Sequence, residues 1–194
     1  NKTMHYSFHH MPKTGGSSLR IRLEDRADKK QICKLDYAIG HNTTKRTPGT
    51  HFVWLRHPLA RDISHFNYDM GKDEAKFDNF QKSCESLAGN FMTLWIHKNY
   101  LLNDQNVNIK KKYQIVRQCL KNNFAKVFCI EDFEDSWNHV ADMLKLDREP
   151  RLNTNRSDID YKKYADRKNL SEQFLVWHKN YNSYDYALYK EFCT

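Results

Sequence analysis

No stretch of the 194 residues approaches the roughly 20 consecutive apolar residues that cross a bilayer as a helix. A membrane segment within this chain is therefore not expected. No signal peptide is visible, and the chain opens on Asn1 rather than Met, which leaves room for an upstream anchor. Six glycines and four prolines are too few for a Gly- or Pro-rich linker. With no internal repeat either, one domain spanning residues 1–194 is the simplest reading. A chain of this length buries a core without help from disulfides or metals. The five cysteines, Cys33, Cys84, Cys119, Cys129 and Cys193, are odd in number and contain no CxxC pair. Neither a zinc site nor a full disulfide framework is indicated, and buried free thiols are expected. Sequons at Asn1, Asn42, Asn155 and Asn169 acquire meaning only in a secretory context.

What the chain does have is positive charge. The formal net charge is +8 and the pI about 9.2, which suits an anionic partner: a nucleotide, a nucleic acid, a membrane surface or an acidic polysaccharide.

Strands and helices alternate along the sequence. "MHYSFHHM" reads as a first strand and "SSLRIRLEDRADKK" as a helix capped by Ser17 or Ser18. "HFVWLRH" is a short apolar strand. Pro58 ends it and opens the helix "LARDISHFNYDM". "KVFCIED" is another strand, and "FEDSWNHVADMLKL" a helix with Trp137, Val140, Ala141 and Leu144 on one face. "KKKYQIVRQCLKNN" is a basic amphipathic helix, "REPRLNTNRSD" a loop, and "SEQFLVWHKNYNSYDYALYKEF" closing helical material with an aromatic stripe. Residues 72–123 have mixed helical spacing, broken at Gly89. The alternation predicts an α/β fold with one parallel sheet flanked by helices.

Between the first strand and its helix lies "HHMPKTGGSS". The first βα turn of an open α/β sheet is where anions bind, because backbone N–H groups and a helix N-terminus converge there. Gly15 and Gly16 let the backbone approach an anion closely. Lys13 supplies a point charge, and Thr14, Ser17 and Ser18 supply hydroxyls. The run is not a Walker A loop: the lysine precedes the glycines, and Met11 stands where the first glycine would be. A second basic run, "RHPLARDISHF", begins at Arg56. Arg56 ends a strand, Arg61 and Ser64 follow on a helix, and Arg56 with Ser64 could converge on a second phosphate. Two neighbouring anion sites suit a nucleotide phosphorylated at both its 5′ and 3′ ends.

"PKTGGSS" followed by "R-x-P-x-x-R-x-x-S" resembles the 5′-phosphosulfate loop and 3′-phosphate motif of sulfotransferases that use 3′-phosphoadenosine 5′-phosphosulfate (PAPS). The "PKTGG" form is similar to the carbohydrate branch that includes heparan sulfate 2-O- and 6-O-sulfotransferases. "VFCIEDFEDSWNHVADMLKL", "LNTNRS" and "YDYALYKEF" resemble further parts of that family, whereas residues 72–123 match no motif of it, and His57 replaces the family's frequent Asp. The resemblance implies a P-loop-like PAPS-binding fold, PAPS as co-substrate without a metal, and a carbohydrate acceptor, an acidic polysaccharide among the candidates, rather than nucleic acid. It implies nucleotide contacts from Lys13, Thr14, Gly15, Gly16, Ser17, Ser18, Arg56, Ser64, Asn155 and Arg156. The basic excess and the position of 72–123 outside every motif point to that segment as a substrate-contacting helical insertion. Lys13 would meet the leaving phosphate. The family's general base lies in a "GH" segment between the two motifs, which points to His41 in "YAIGHNTT", with His10 and His57 as alternatives. The compartment would be cytoplasmic for a bacterial-type enzyme and the Golgi lumen for a trimmed eukaryotic catalytic domain; nothing in the sequence fixes the oligomeric state. Two other classes stay open: a P-loop-type kinase, and a non-enzymatic domain that binds an anionic glycan or nucleic acid through Lys110–Lys112.

Overall fold

A computed structural model describes residues 5–9, 11–14, 19–20, 22–23, 36–146 and 164–194. Its centre is a four-stranded sheet, β1 (His5–His9), β2 (Asp36–Gly40), β3 (Thr50–Leu55) and β4 (Lys126–Cys129), in the order β2-β1-β3-β4. Every pairing is parallel, with Phe8 opposite Phe52 and Val53 opposite Val127. Leu19–Arg20 and Arg22–Leu23 are helical, and the helices described in full are α1 (Pro58–Gly71), α2 (Phe80–Ser86), α3 (Phe91–Trp95), α4 (Ile109–Asn122), α5 (Phe133–Leu144), α6 (Glu172–Tyr181) and α7 (Ser183–Cys193). A π-helical turn, Ile96–Tyr100, extends α3. The chain is thus α/β, with a parallel sheet flanked by helices, as the alternation predicts.

The period of two along a strand divides the core. Phe8, Phe52, Trp54 and Phe128 face one side and pack with Leu19, Leu23 and the Trp137–Val140–Ala141–Leu144 stripe of α5. Val53 and Leu55 face the other side, against Met92, Ile96, Tyr100, Val116 and Leu120. Both faces are covered, as a parallel sheet requires. The segment 72–123 therefore does structural work: α3, the π-helical turn and α4 form the second helical layer.

Three particulars differ from the sequence reading. β2 was not anticipated. The closing helical stretch is two helices that meet at Asn182. The cysteines are not all free thiols: Cys129, at the end of β4, is disulfide-bonded to Cys193 in α7, while Cys84 and Cys119 are free and buried. Spacing along a chain does not reveal which distant cysteines meet, so the pairing was invisible before folding.

The C-terminal helices are tied to α3 by buried polar groups. The Asp185 carboxylate accepts from the backbone N–H groups of Met92 (2.8 Å) and Thr93 (2.9 Å) and from the Thr93 hydroxyl (2.7 Å). It thereby satisfies donors that a helix start leaves without intrahelical partners. Asn90 N–H donates to Asn182 Oδ1, and Asn90 Oδ1 accepts from the backbone of Tyr184 and Asp185. Gly89, before this junction, has φ +74, and a Cβ there would stand 2.9 Å from the Tyr181 carbonyl oxygen, so the break seen in the sequence is a close backbone approach.

Candidate functional site

In the order β2-β1-β3-β4 the chain leaves β1 toward one edge of the sheet, then crosses back to place β3 on the other side of β1. The carboxyl ends of β1 and β3 form a topological switch point, where loops diverge and leave a crevice. The two basic motifs follow these two strands. Val53 is level with His9, so Arg56 and Pro12, each three residues further on, emerge together at the same edge.

Lys13 adopts a left-handed backbone conformation, φ +64, which costs a non-glycine residue roughly 1–2 kcal/mol. Two arginines brace this turn. Arg56 Nη1 donates to the Lys13 carbonyl at 3.0 Å, and Arg61 Nε donates to the Pro12 carbonyl at 3.3 Å. Arg61 is only 2% exposed; its fork also pairs with Asp62 at 2.9 Å and its guanidinium lies over the Phe91 ring. Thr14 is buried and its hydroxyl donates to the Met11 carbonyl at 2.8 Å. That hydroxyl stabilises the turn instead of pointing outward as a donor to an anion.

The Lys13 ammonium lies 4.2 Å from the centre of the Tyr68 ring, and the Lys72 ammonium 4.4 Å from the same ring. Burial holds the Lys13 pKa below its ordinary value, and the nearby cations Arg56, Arg61 and Lys72 lower it further while Asp69 opposes them. Positive charge is therefore concentrated beyond what the local carboxylates balance. An anion placed here would relieve that repulsion.

No protein-family model matches the chain, and no curated protein matches it in sequence.

His57 follows Arg56. Its backbone N–H donates to Glu131 Oε1 at 2.8 Å, and its ring meets Tyr186 and Tyr189 edge-on, 5.2 Å from each. Burial first, then Arg167, pushes the His57 imidazole below its usual pKa. A ring so enclosed has a packing role that any substitution would disturb.

His41 is exposed on the turn directly after β2. Gly40 is level with His9, so His41 leaves the sheet at the same carboxyl edge as the Lys13 turn. Three hydrogen bonds fix the residues that follow it. Thr44 N–H donates to Thr47 Oγ1 at 2.8 Å, Lys45 N–H to the Tyr100 carbonyl at 2.9 Å, and His51 Nε2 to the Thr47 carbonyl at 2.6 Å. Beside this segment runs an open groove of about 600 Å³, whose lining runs from Lys45 along Leu101–Gln105 to Ile115 and includes one carboxylate, Asp104.

Lys13, Thr14 and Arg56 are therefore brought together. Ser64 sits half-buried on α1, and among the described residues no hydrogen bond joins it to Arg56. Gly15, Gly16, Ser17, Ser18, Asn155, Arg156 and the alternative base His10 lie outside the described residues. Sequence reasoning missed Tyr68, on the helix that follows Arg56, and Lys72, which caps the end of that helix; their signal is a spacing of four residues. It also missed Asp62, which joins Arg61 to the buried His178 at 2.8 Å; His178 in turn meets the Tyr186 hydroxyl at 3.0 Å. This polar chain runs from the Lys13 turn into the C-terminal helices.

Proposed function

We propose that the protein is an O-sulfotransferase that moves the sulfuryl group of PAPS to a hydroxyl of a carbohydrate acceptor. The observation that carries this reading is the junction of the two basic motifs, one after each strand of the switch point: the Arg56 guanidinium donates to the backbone carbonyl of Lys13 and so joins the second motif to the turn of the first. A nucleotide with phosphates at both ends is the ligand class that two such cations suit. Burial first, and then the neighbouring cations, depress the Lys13 pKa; the second of these causes fits the same ligand, since a phosphate offsets repulsion already present. On this reading the fold is of the P-loop-like PAPS-binding type, with Gly15, Gly16, Ser17 and Ser18 completing the 5′ loop, Ser64 joining Arg56 at the 3′-phosphate, and Asn155 and Arg156 closing over the nucleotide.

PAPS supplies the sulfuryl group. His41 takes the proton from the acceptor hydroxyl, the new O–S bond forms in line, and the S–O bond to the 5′-phosphate breaks. Lys13 meets the negative charge that develops on the leaving phosphate, a field that is in place before the reaction and so needs no reorganisation. The scheme requires no metal. The groove that begins at Lys45, four residues beyond His41, and runs along residues 101–105 gives the acceptor a path from the base onto the 72–123 segment. The groove itself is balanced, with Lys45 opposite in sign to Asp104, and it is the net charge of the whole chain that favours an acidic polysaccharide as acceptor.

The test is calorimetry with 3′-phosphoadenosine 5′-phosphate (PAP) and AMP, followed by transfer of labelled sulfate from PAPS to a glycan panel with and without EDTA. PAP binding far tighter than AMP, and transfer that survives EDTA, are expected. Phosphate transfer from ATP that chelation abolishes and Mg²⁺ restores would instead establish a kinase. Glycan or nucleic-acid binding with no affinity for PAP would establish a non-enzymatic binder.

A further inference from the structure

We propose that Asn169 carries an N-linked glycan and that the protein matures in an oxidising, secretory compartment. Asn169 begins the sequon Asn169–Leu170–Ser171. A sequon alone carries little weight, because a cytosolic chain contains such triplets by chance. The Cys129–Cys193 disulfide changes that weight. Disulfides of this structural kind form where thiols are oxidised, and in a eukaryotic cell the endoplasmic reticulum lumen that oxidises them is also where asparagine is glycosylated. The pairing links two elements 64 residues apart in sequence, while the buried Cys84 and Cys119 remain thiols, so the bridge belongs to the architecture and not to a redox pair of adjacent residues.

Local structure favours Asn169 as the acceptor. It ends a one-turn surface element, Arg167–Asn169, and is exposed. Its backbone N–H bonds to the Asp166 carbonyl at 3.0 Å, and among the described residues no hydrogen bond uses its side-chain amide. The chain on either side is held: Ala165 exchanges two hydrogen bonds with the Asn67 amide, and Ser171 caps α6 by accepting from Phe174 N–H. A bulky, hydrated glycan at the exposed Asn169 would project into solvent without displacing any packed group among the described residues. Asn42 is exposed too, but it adjoins His41 on the turn that the functional reading keeps open to acceptor. Asn1 and Asn155 lie outside the described residues.

The chemistry uses a lipid-linked oligosaccharide diphosphate as donor. The Asn169 amide nitrogen forms a bond to C1 of the first sugar and loses a proton, the C1–O bond to the diphosphate breaks, and the lipid diphosphate leaves. The experiment is peptide mass mapping, without reduction, of the protein from its own source, before and after release of N-glycans by an amidase that leaves Asp. The expected result is Asp in place of Asn169 only after release, in a digest that also contains the Cys129–Cys193 cross-linked peptides. An Asn169 peptide found wholly unmodified, or Cys129 and Cys193 recovered as thiols, overturns the proposal. When the chain is secreted from a eukaryotic host, Asn169→Gln should remove one glycan and leave folding intact, as judged by an unchanged far-UV spectrum. Neither readout depends on sulfotransferase activity, so its failure is separable from failure of that reading.

Discussion

The Arg56 guanidinium donates to the Lys13 carbonyl at 3.0 Å, across 43 residues of sequence. A charge that follows one strand thereby fixes the backbone of the turn that follows the neighbouring strand. Arg56 has two tasks under the proposed function: it faces a 3′-phosphate, and it holds the left-handed turn that aims Lys13.

Arg56→Ala should weaken PAP binding about 10- to 100-fold, since a charge-assisted hydrogen bond contributes about 1.5–3 kcal/mol. AMP, lacking the 3′-phosphate, should lose much less. Arg56→Lys should fall between, because an ammonium keeps the charge without the planar fork. Calorimetry with both ligands reads the difference. An equal loss for AMP and PAP would show that Arg56 acts through the turn alone.

Lys13→Ala should reduce turnover and nucleotide affinity together. The ammonium is required in its charged form and, with its pKa held down by burial and by Arg56, loses its proton at lower pH than an ordinary lysine. PAP affinity should therefore fall as pH rises through the Lys13 pKa, with proton uptake on binding visible as a buffer-dependent heat. Lys13→Ala should abolish that alkaline fall.

His41→Ala should lower turnover about 10²- to 10⁴-fold, the usual contribution of a positioned general base, and leave PAP affinity unchanged. His57→Ala should instead lower stability, by emptying the space between Tyr186 and Tyr189. Normal turnover in His41→Ala, with loss in His10→Ala or His57→Ala at intact PAP affinity, would move the base to that residue.

Two buried groups should oppose each other in the pH dependence of stability. Burial and the adjacent His51 push the His9 imidazole down to about 3, and burial pushes the Asp185 carboxyl up to about 6, against the hydrogen bonds it accepts from Thr93 and Met92. The unfolded values are about 6.5 and 3.9. Near pH 5 the unfolded chain holds the His9 proton and the folded one does not, so this term makes stability rise with pH. At the same pH the folded chain holds the Asp185 proton and the unfolded one does not, so that term makes stability fall with pH. Each slope is about 1 kcal/mol per pH unit and they offset. Asp185→Asn should tilt the denaturation curve so that stability rises between pH 4 and 6 more steeply than in the wild type, and His9→Asn should tilt it the opposite way. Parallel curves for both variants would contradict these assignments.

β1, β3, β4, α1 and α5 were legible because each carries its own signal: alternation in "HFVWL", a proline suited to the first turn of α1, an apolar stripe in α5. β2 was not, since "DYAIG" contains Asp and Gly, which strands disfavour, and its structure is supplied by pairing with β1. The interior of residues 72–123 was illegible for a related reason. α3 begins where Asp185 and Asn90 complete its first turn, through partners more than ninety positions apart. At the site, Lys13, Thr14 and Arg56 could be read from their motifs. The inward turn of the Thr14 hydroxyl and the contact of Arg61 with Pro12 could not, because both are set by packing.

The Asp185 bonds to α3 also order events in time. A ribosome adds about 5–20 residues per second. The interval of 95 residues between Asn90 and Asp185 thus lasts roughly 5–20 s. Throughout it, α3 has been made while the carboxylate that completes its first turn has not. During synthesis the second helical layer must wait, with Met92 and Ile96 unsealed, for a residue near the end of the described chain. Release of a truncated chain ending before Asp185 would leave an apolar face open to any neighbouring polypeptide, so synthesis through Asp185 is itself a step in closing the second helical layer.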